Sequence, residues 1–191
     1  MDHWSKPTIE EAKNAVNTLI EFFGDNPNRE GLRETPERFL RGWGELLAGY
    51  NQSPEKLMKT FKEGCCDELV LVKGIDFVSI CEHHMLPFTG VAHVGYLPNE
   101  RIIGLSKIPR LVDVFANRLQ VQERLTGQIT NSLMEFLKPR GVGCVIKAKH
   151  YCLSCRGAKK RGTIMVTSSL TGVIREDPKT RKEFFDLIKS R

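Results

Sequence analysis

The chain has 191 residues, of which 40% are hydrophobic and 27% are charged. This length suits one folded core with a small helical appendage and is too short for two full domains. No stretch approaches the roughly 18 uncharged apolar residues of a membrane-spanning helix. The first residues include acids and lack an apolar run, which argues against a secretory signal. We therefore expect a cytoplasmic protein without a membrane partner.

The charge of the chain is unevenly distributed. The formal net charge is +6, and residues 138–191 contain 14 Lys and Arg against 4 Asp and Glu. Such a local excess attracts anions, and a nucleic acid or a small polyphosphate would satisfy it equally well. The six cysteines indicate metal binding or chemistry more than disulfides, because the expected compartment is reducing.

The first third of the chain has helical patterns. Apolar residues recur at helical spacing after Thr8, and Gly24 ends the pattern. Thr35 and Pro36 then supply an N-cap and a proline at the first helical position. We expect an N-terminal helical region over residues 1–62 and a second domain over residues 63–191.

Strand patterns begin at Leu69. The runs LVLVKG and DFVSI are followed by the alternating run VAHVGYLP. Ser106 begins one predicted helix, and about Gln122 begins another. The runs VGCVIKAKH and TIMVTSSL return to strand, and Asp177-Pro178 caps a final helix. Strand pairs separated by a helix pair predict an α+β fold, with four antiparallel strands in a sheet and helices on one face.

Two clusters of cysteine and histidine carry the densest chemistry. Cys81 and His84 are three residues apart, so in a turn both side chains face one point. Thiolate and imidazole are ligands that suit zinc. His150 and Cys152 end a predicted strand, where alternate residues point the same way. Clusters some 70 residues apart that share this chemistry predict a single metal site.

The number of ligands distinguishes two kinds of zinc site. Cys81, His84 and Cys152 give three ligands and leave a position for water, whose pKa falls from about 15.7 to near 7 in a catalytic site. Cys155 stands three residues after Cys152. With Cys155 as a fourth ligand the site would be closed and structural, and spacing alone leaves both possibilities open.

Two further histidines flank the predicted ligands. His83 and His150 would have no role in a structural zinc knuckle. Imidazole titrates close to neutral pH, so histidines beside a metal-activated water are suited to general acid–base catalysis. Their presence favours the open, catalytic site.

Four ordered segments resemble the signature blocks of one enzyme family, GTP cyclohydrolase I. They are GLRETPER at 31–38, CEHHMLPFTG at 81–90, GLSKIPRLVDVFANRLQVQERLTGQI at 104–129 and HYCLSCRG at 150–157. The resemblance runs from about Glu30 to the C-terminus. Together these segments are highly specific for that family.

The resemblance implies a fold, an assembly and a metal site. The fold is the tunnelling fold, in which a four-stranded antiparallel sheet carries a helix pair on one face. Such sheets join into a barrel in a homo-oligomer, commonly a decamer, with active sites between subunits. The family's zinc ligands correspond to Cys81, His84 and Cys152, and its catalytic histidines to His83 and His150.

The resemblance also implies an activity. Members open the imidazole ring of GTP with water and form 7,8-dihydroneopterin triphosphate and formate, in the first step of tetrahydrofolate or pterin biosynthesis. A triphosphate carries close to four negative charges, and charge-assisted hydrogen bonds to it contribute roughly 1.5–3 kcal/mol each. The implied substrate-binding residues are Gln122 and Glu123 for guanine, Ser106, Lys107, Arg110 and Arg156 for the triphosphate, and Arg38 and Arg41 from a neighbouring subunit.

Two alternatives belong to other functional classes. A nucleic-acid-binding protein with a structural zinc would use Cys155 as fourth ligand and the basic run at 159–162 as a contact surface. A related tunnelling-fold enzyme would act on another pterin or on a deazapurine. The combined motifs favour the cyclohydrolase, with GTP as substrate and no nucleic-acid partner.

Overall fold

The computed structural model describes residues 5–190, and the chain divides into two compact units, residues 1–47 and 48–191. The first unit contains helices α1 (Ile9–Phe22) and α2 (Thr35–Leu46). Thr8 starts α1 with a capping box, in which its hydroxyl accepts the Glu11 N–H at 3.2 Å and the Glu11 carboxylate accepts the Thr8 N–H at 2.8 Å. Both helices follow from the sequence pattern, but the predicted N-cap of α2 is wrong. Thr35 is already helical, Glu34 precedes it, and no side chain caps this helix.

The second unit combines strands with helices, which confirms the α+β class. Two 3-10 turns at Ala48–Asn51 and Glu55–Leu57 precede the first strand. The elements are β1 (Thr60–Phe61), β2 (Val70–Cys81), β3 (Pro87–Leu97), β4 (Ile102–Ile103), α3 (Lys107–Ala116), β5 (Leu119–Gln120), α4 (Gln122–Phe136), β6 (Gly141–His150), α5 (Tyr151–Ser154), β7 (Met165–Thr171), α6 (Gly172–Glu176) and α7 (Pro178–Lys189).

The main sheet has the strand order β5-β2-β3-β6-β7. The four long strands are antiparallel neighbours, as the sequence predicts. The fifth, β5, is two residues long and runs parallel to β2, with Ile80 opposite Leu119 and Cys81 opposite Gln120. A strand this short has no alternation that a sequence pattern would reveal.

A bulge joins the two predicted segments LVLVKG and DFVSI into the single strand β2. The register against β3 shifts between Val72 and Ile75, where Gly74 adopts a φ of 74°. Glycine takes this conformation without strain, and the Gly74 N–H donates to Nδ1 of His93 at 3.2 Å. Val72 and Ile75 consequently face the same core, although residues three apart in an unbroken strand point to opposite faces.

Helices cover both faces of the sheet. On one face α3 and α4 enclose the main core, which includes Val94 of β3 and Cys144 of β6. Their neighbours Gly95 and Val145 point to the opposite face, where Phe184 of α7 is fully buried. The expectation of helices on one face holds for α3 and α4 and is wrong for α7. An amphipathic helix pattern shows that one side is buried but not which sheet face receives it.

The cysteines are all free thiols. Cys144 is fully buried, and burial raises the pKa of its thiol far above the usual range. Within residues 5–190, no helix combines the length and the apolar character needed to cross a membrane.

Gly90 should tolerate no side chain. A Cβ there would lie 2.6 Å from the Cα of Ala148 and would also collide with the Lys147 carbonyl oxygen. Both are backbone atoms of β6, so we expect Gly90→Ala to lower the free energy of unfolding by about 1–3 kcal/mol.

Gly127→Ala is the matched control. Nothing lies within 4 Å of a Cβ at this helical position in α4, so alanine should raise the free energy of unfolding by about 0.5–1 kcal/mol. Chemical denaturation of both variants measures the difference, and equal stability of the two would contradict this account of the β3–β6 contact.

Candidate metal centre and active site

A tight turn after β2 positions the first cluster. The N–H of Cys81 donates to the Leu86 carbonyl at 2.9 Å, and the N–H of Met85 donates to the Cys81 carbonyl at 2.8 Å. Met85 has a φ of 51°, a conformation uncommon outside glycine. The turn places Nδ1 of His83 and Nδ1 of His84 each 4.0 Å from the Cys81 sulfur.

The second cluster comes from the end of β6. His150 is the last residue of this strand and lies opposite Phe88 of β3. It is also the residue before helix α5, whose second residue is Cys152. The expected alternation along a strand therefore does not align His150 with Cys152, because the strand has already ended. The first turn of α5 carries the cysteine instead.

Three ligand atoms meet at one point. The sulfur atoms of Cys81 and Cys152 and a ring nitrogen of His84 all lie within 4.8 Å of one another. Ligand atoms around a tetrahedral zinc, with bonds of about 2.0–2.3 Å, lie roughly 3.3–3.8 Å apart. Small side-chain rotations would therefore enclose an ion. Two thiolates and an imidazole form a donor set that fits zinc.

The electrostatics of the two thiols also favour a cation. Burial, and then the neighbouring Cys81 sulfur, raise the pKa of the Cys152 thiol above its ordinary value. Two thiolates this close repel each other, and a divalent cation between them removes that repulsion. The residues present therefore fit a bound metal.

Cys155 lies outside this cluster. It is exposed just after α5, where its N–H donates to the Tyr151 carbonyl at 2.9 Å. Within the described residues, Cys81, His84 and Cys152 form the only group of three or more such side chains that could hold one ion. The geometry brings together three possible ligands without Cys155, so it does not support the closed structural site of the nucleic-acid alternative.

A cavity of about 220 Å³ surrounds the cluster. It gathers the three possible ligands, the two further histidines and the start of α4. Its lining residues are Cys81, His83, His84, Gln120, Val121, Gln122, Glu123, His150, Cys152 and Met165. Seven of these were predicted from the sequence as metal, catalytic or guanine-binding residues.

His150 is held in a defined environment within this cavity. Its ring stacks on Phe88, with centroids 4.6 Å apart and planes 4° from parallel. Its Nε2 lies 2.8 Å from Oε1 of Gln122. Burial lowers the pKa of His150, and the charge of Glu123 acts weakly in the opposite direction. Burial therefore favours the neutral form of this imidazole.

The residues expected to bind the triphosphate lie elsewhere in the chain. Ser106 precedes α3, Lys107 is its first residue, and Arg110 follows one turn later. Arg156 is exposed in the loop after α5. None of these four lines the cavity. The cavity within one chain therefore lacks the residues expected to bind the triphosphate.

Arg38 and Arg41 belong to α2 in the first compact unit. Both side chains are exposed. Arg38 forms an ion pair with Glu34, one turn earlier in the chain. Both residues are expected to bind the substrate in the active site of a neighbouring subunit, and this stays a prediction.

Several residues that shape the site were not predicted. The carboxylate of Glu82 pairs with the guanidinium of Arg124, which holds the pKa of Glu82 below its usual range. Arg124 Nε also donates to Oε1 of Gln120 at 3.0 Å, and the Gln120 carbonyl accepts the Glu82 N–H at 3.0 Å. These contacts attach the turn that contains Cys81 and His84 to the start of α4. The partners are distant in the sequence, and no motif joins them.

Comparison of the sequence with known families and curated proteins identifies one family. The family model for GTP cyclohydrolase I matches residues 12–189. The chain belongs to the GTP cyclohydrolase I family. A GTP cyclohydrolase 1 of Allorhizobium ampelinum is 48% identical over 189 residues, which cover 98% of this chain and 94% of that protein. The GTP cyclohydrolase 1 of a Synechococcus species is 52% identical over 177 residues, 92% of this chain and 77% of that protein.

Among solved structures, the archaeosine synthase QueF-Like in the apo form matches with a TM-score of 0.46 and 17% identity, over 55% of this chain and 93% of that chain. The resemblance to GTP cyclohydrolase I that the motifs indicate is confirmed by the family match and by the relatives.

Metal binding should depend on Cys152 and be independent of Cys155. Cys152→Ala removes one of three ligands, so the protein should retain little zinc after dialysis, as measured by elemental analysis. Cys155→Ser is the matched control and should keep the wild-type zinc content. Zinc retained by the first variant, or lost from the second, would contradict the three-ligand site.

Proposed function

We propose that this member of the GTP cyclohydrolase I family converts GTP and water into 7,8-dihydroneopterin triphosphate and formate, the first step of tetrahydrofolate or pterin biosynthesis. One observation carries the proposal: three possible metal ligands lie within 4.8 Å of one another, in a cavity that also contains two histidines outside that set. Hydrolytic ring opening requires an activated water and groups that transfer protons.

We propose zinc as the metal, held by Cys81, His84 and Cys152. When bound, zinc would supply a Lewis acid that lowers the pKa of water into the neutral range. All three residues line the cavity, so a metal held by them would be accessible from it. The donor set supports this assignment over magnesium or calcium, which prefer oxygen ligands.

The two remaining histidines would move protons. Water adds to C8 of guanine, and His150 relays the proton that this water loses to N7. The C8–N9 bond then breaks, and the imidazole ring opens to a formamide. A second hydrolysis releases formate. The ribose then opens, undergoes an Amadori rearrangement and closes onto the free amine as the dihydropterin ring. His83, whose Nδ1 lies 4.0 Å from the Cys81 sulfur, is the proposed proton shuttle.

Glu123 would select guanine. It is an exposed residue in the first turn of α4 and lines the cavity beside His150. A carboxylate accepts hydrogen bonds from the guanine ring N–H and the exocyclic amine together, and adenine presents no such pair of donors. The N-terminus of α4 stabilises the negative charge of this side chain.

The active site would be completed by other copies of the chain. A cavity of about 220 Å³ is smaller than the roughly 300–1,000 Å³ of typical ligand pockets. Ser106, Lys107, Arg110 and Arg156, which we assign to the triphosphate, do not line it. We propose that neighbouring subunits bring such residues together, with Arg38 and Arg41 contributed from α2. Residues 63–191 would then form the catalytic domain.

The sheet offers a means of assembly. β7 is an edge strand, and Val166 on it is 57% exposed. Exposed edges of this kind pair readily with a strand of another chain. We propose the tunnelling fold, in which such pairing joins sheets into a barrel, and a homodecamer as the assembly.

The reaction itself is tested with purified protein, GTP and zinc. The wild-type protein should release formate and develop the absorbance of a pterin. His150→Ala should keep its zinc yet lose formate release by a factor of about 10²–10⁴, as expected for a general acid–base group. Absence of formate from the wild-type protein would refute the function, and wild-type rates in the variant would refute the role of His150.

Subunit complementation tests the shared site. Arg38→Ala and His150→Ala, each poorly active alone, should regain part of the activity when co-expressed, because some sites then combine both intact residues. Co-expression of His150→Ala with Cys152→Ala is the control and should restore nothing, since both residues line the same cavity of one chain. Failure of the first pair to recover would contradict the contribution of Arg38 across subunits.

A further inference from the structure

The side chain of Gln122 is buried and fully engaged with the protein. It is 1% exposed at the first position of α4. Its amide nitrogen lies 3.1 Å from the Ile146 carbonyl oxygen, 3.2 Å from the Met165 carbonyl oxygen and 3.1 Å from Oγ1 of Thr167. All three are acceptors. A reversed amide would set its oxygen against two carbonyl oxygens, so the orientation with nitrogen toward the sheet is decided.

Two buried hydroxyls reinforce this orientation. Thr126 Oγ1 donates to the main-chain carbonyl of Gln122 at 2.6 Å. The hydroxyls of Thr126 and Thr167 are 2.7 Å apart, and because the Thr126 hydrogen is already used, Thr167 must donate in this pair. Thr167 Oγ1 is then an acceptor toward the amide nitrogen of Gln122. The two hydrogens of the Gln122 amide are thus shared among three acceptors.

The direction of the next hydrogen bond follows from this. Oε1 of Gln122 can only accept, and it lies 2.8 Å from Nε2 of His150. Nε2 must therefore carry the hydrogen. Stacking on Phe88, which is 0% exposed, fixes the plane of the same ring.

We propose that Gln122 is a positioning residue that fixes the orientation of the His150 ring in the cavity, with its hydrogen on Nε2. This inference rests on the proposed function, in which His150 transfers protons. It replaces the guanine contact that the family resemblance implies for Gln122, because the side chain is 1% exposed and both polar atoms of its amide bond within the protein. A partner that fixes a tautomer controls catalysis without touching the substrate.

Gln122→Met keeps the length of the side chain and removes its hydrogen bonds. Loss of a group that orients a catalytic or metal-binding histidine typically costs 10–100-fold in activity, so we expect kcat to fall by about that factor. The KM for GTP should stay within about threefold, because guanine contacts are intact. Zinc content should match that of the wild-type protein.

A matched control lies one turn further along α4. The Thr130 hydroxyl is 2.7 Å from Oγ of Ser169. This helix–strand pair resembles that of Thr126 and Thr167, but neither Thr130 nor Ser169 bonds to Gln122. Thr130→Val should leave kcat unchanged.

Thr167→Val removes one acceptor of the Gln122 amide and should lower kcat severalfold, which keeps the proposal testable if Gln122→Met does not fold.

Nitrogen NMR of histidine-labelled, zinc-loaded protein gives a readout independent of activity. At pH 8 the wild-type His150 signal, assigned by its loss in His150→Ala, should show the directly bonded hydrogen on Nε2. In Gln122→Met the hydrogen should be distributed over both nitrogens. Retention of the wild-type signal in that variant would overturn the proposal.

A double substitution separates positioning from substrate binding. In the His150→Ala background, Gln122→Met should have no further effect on the residual kcat. An equal loss in both backgrounds, or a raised KM with unchanged kcat in the single variant, would overturn the proposal. If the wild-type protein releases no formate from GTP, the proposed function fails, and the NMR measurement alone still decides whether Gln122 fixes the tautomer.

Discussion

The pairing register of β2, β3 and β6 determines where the possible metal ligands Cys81, His84 and Cys152 come together. Phe88 lies opposite His150, and the turn that links β2 to β3 begins at Cys81. The C-terminal ends of β2 and β6 therefore flank the first residues of β3, one on each side. Cys152 lies two residues after His150, the last residue of β6. A slip of one residue in β6 would turn His150 to the other face of the sheet and remove it from Phe88 and Gln122.

The contact between α4 and β7 depends on buried polar groups as well as on apolar packing. Gln122, Thr126 and Thr130 on the helix bond to side chains or main chain of the sheet. Buried polar groups are costly unless every partner is present, so this set of bonds fixes the rotation of α4 about its axis. The same rotation brings Gln122 under His150 and leaves Glu123 exposed at the cavity.

Much of the chemistry is local in the sequence and was predictable there. The spacing of Cys81 and His84 indicates a shared turn, and the structure forms one. The capped helices also follow from short patterns, such as the Asp177 carboxylate that accepts the Thr180 N–H at 2.8 Å. The α+β class follows from the order of these elements. Capping, turn geometry and alternation each act within a few residues, so a linear sequence contains them.

Contacts between distant segments could be settled only by the tertiary structure. The sequence places α7 beside the sheet but does not choose its face, because its buried stripe fits either side. Its spacing leaves Cys155 as a possible fourth ligand, and only the fold shows that Cys155 is exposed and outside the group of possible ligands. The sequence alone indicated the residue types that could bind a metal and the family. The tertiary structure decided which of them meet and which nitrogen of His150 faces Gln122, because strand register and helix rotation arise from packing across the whole core.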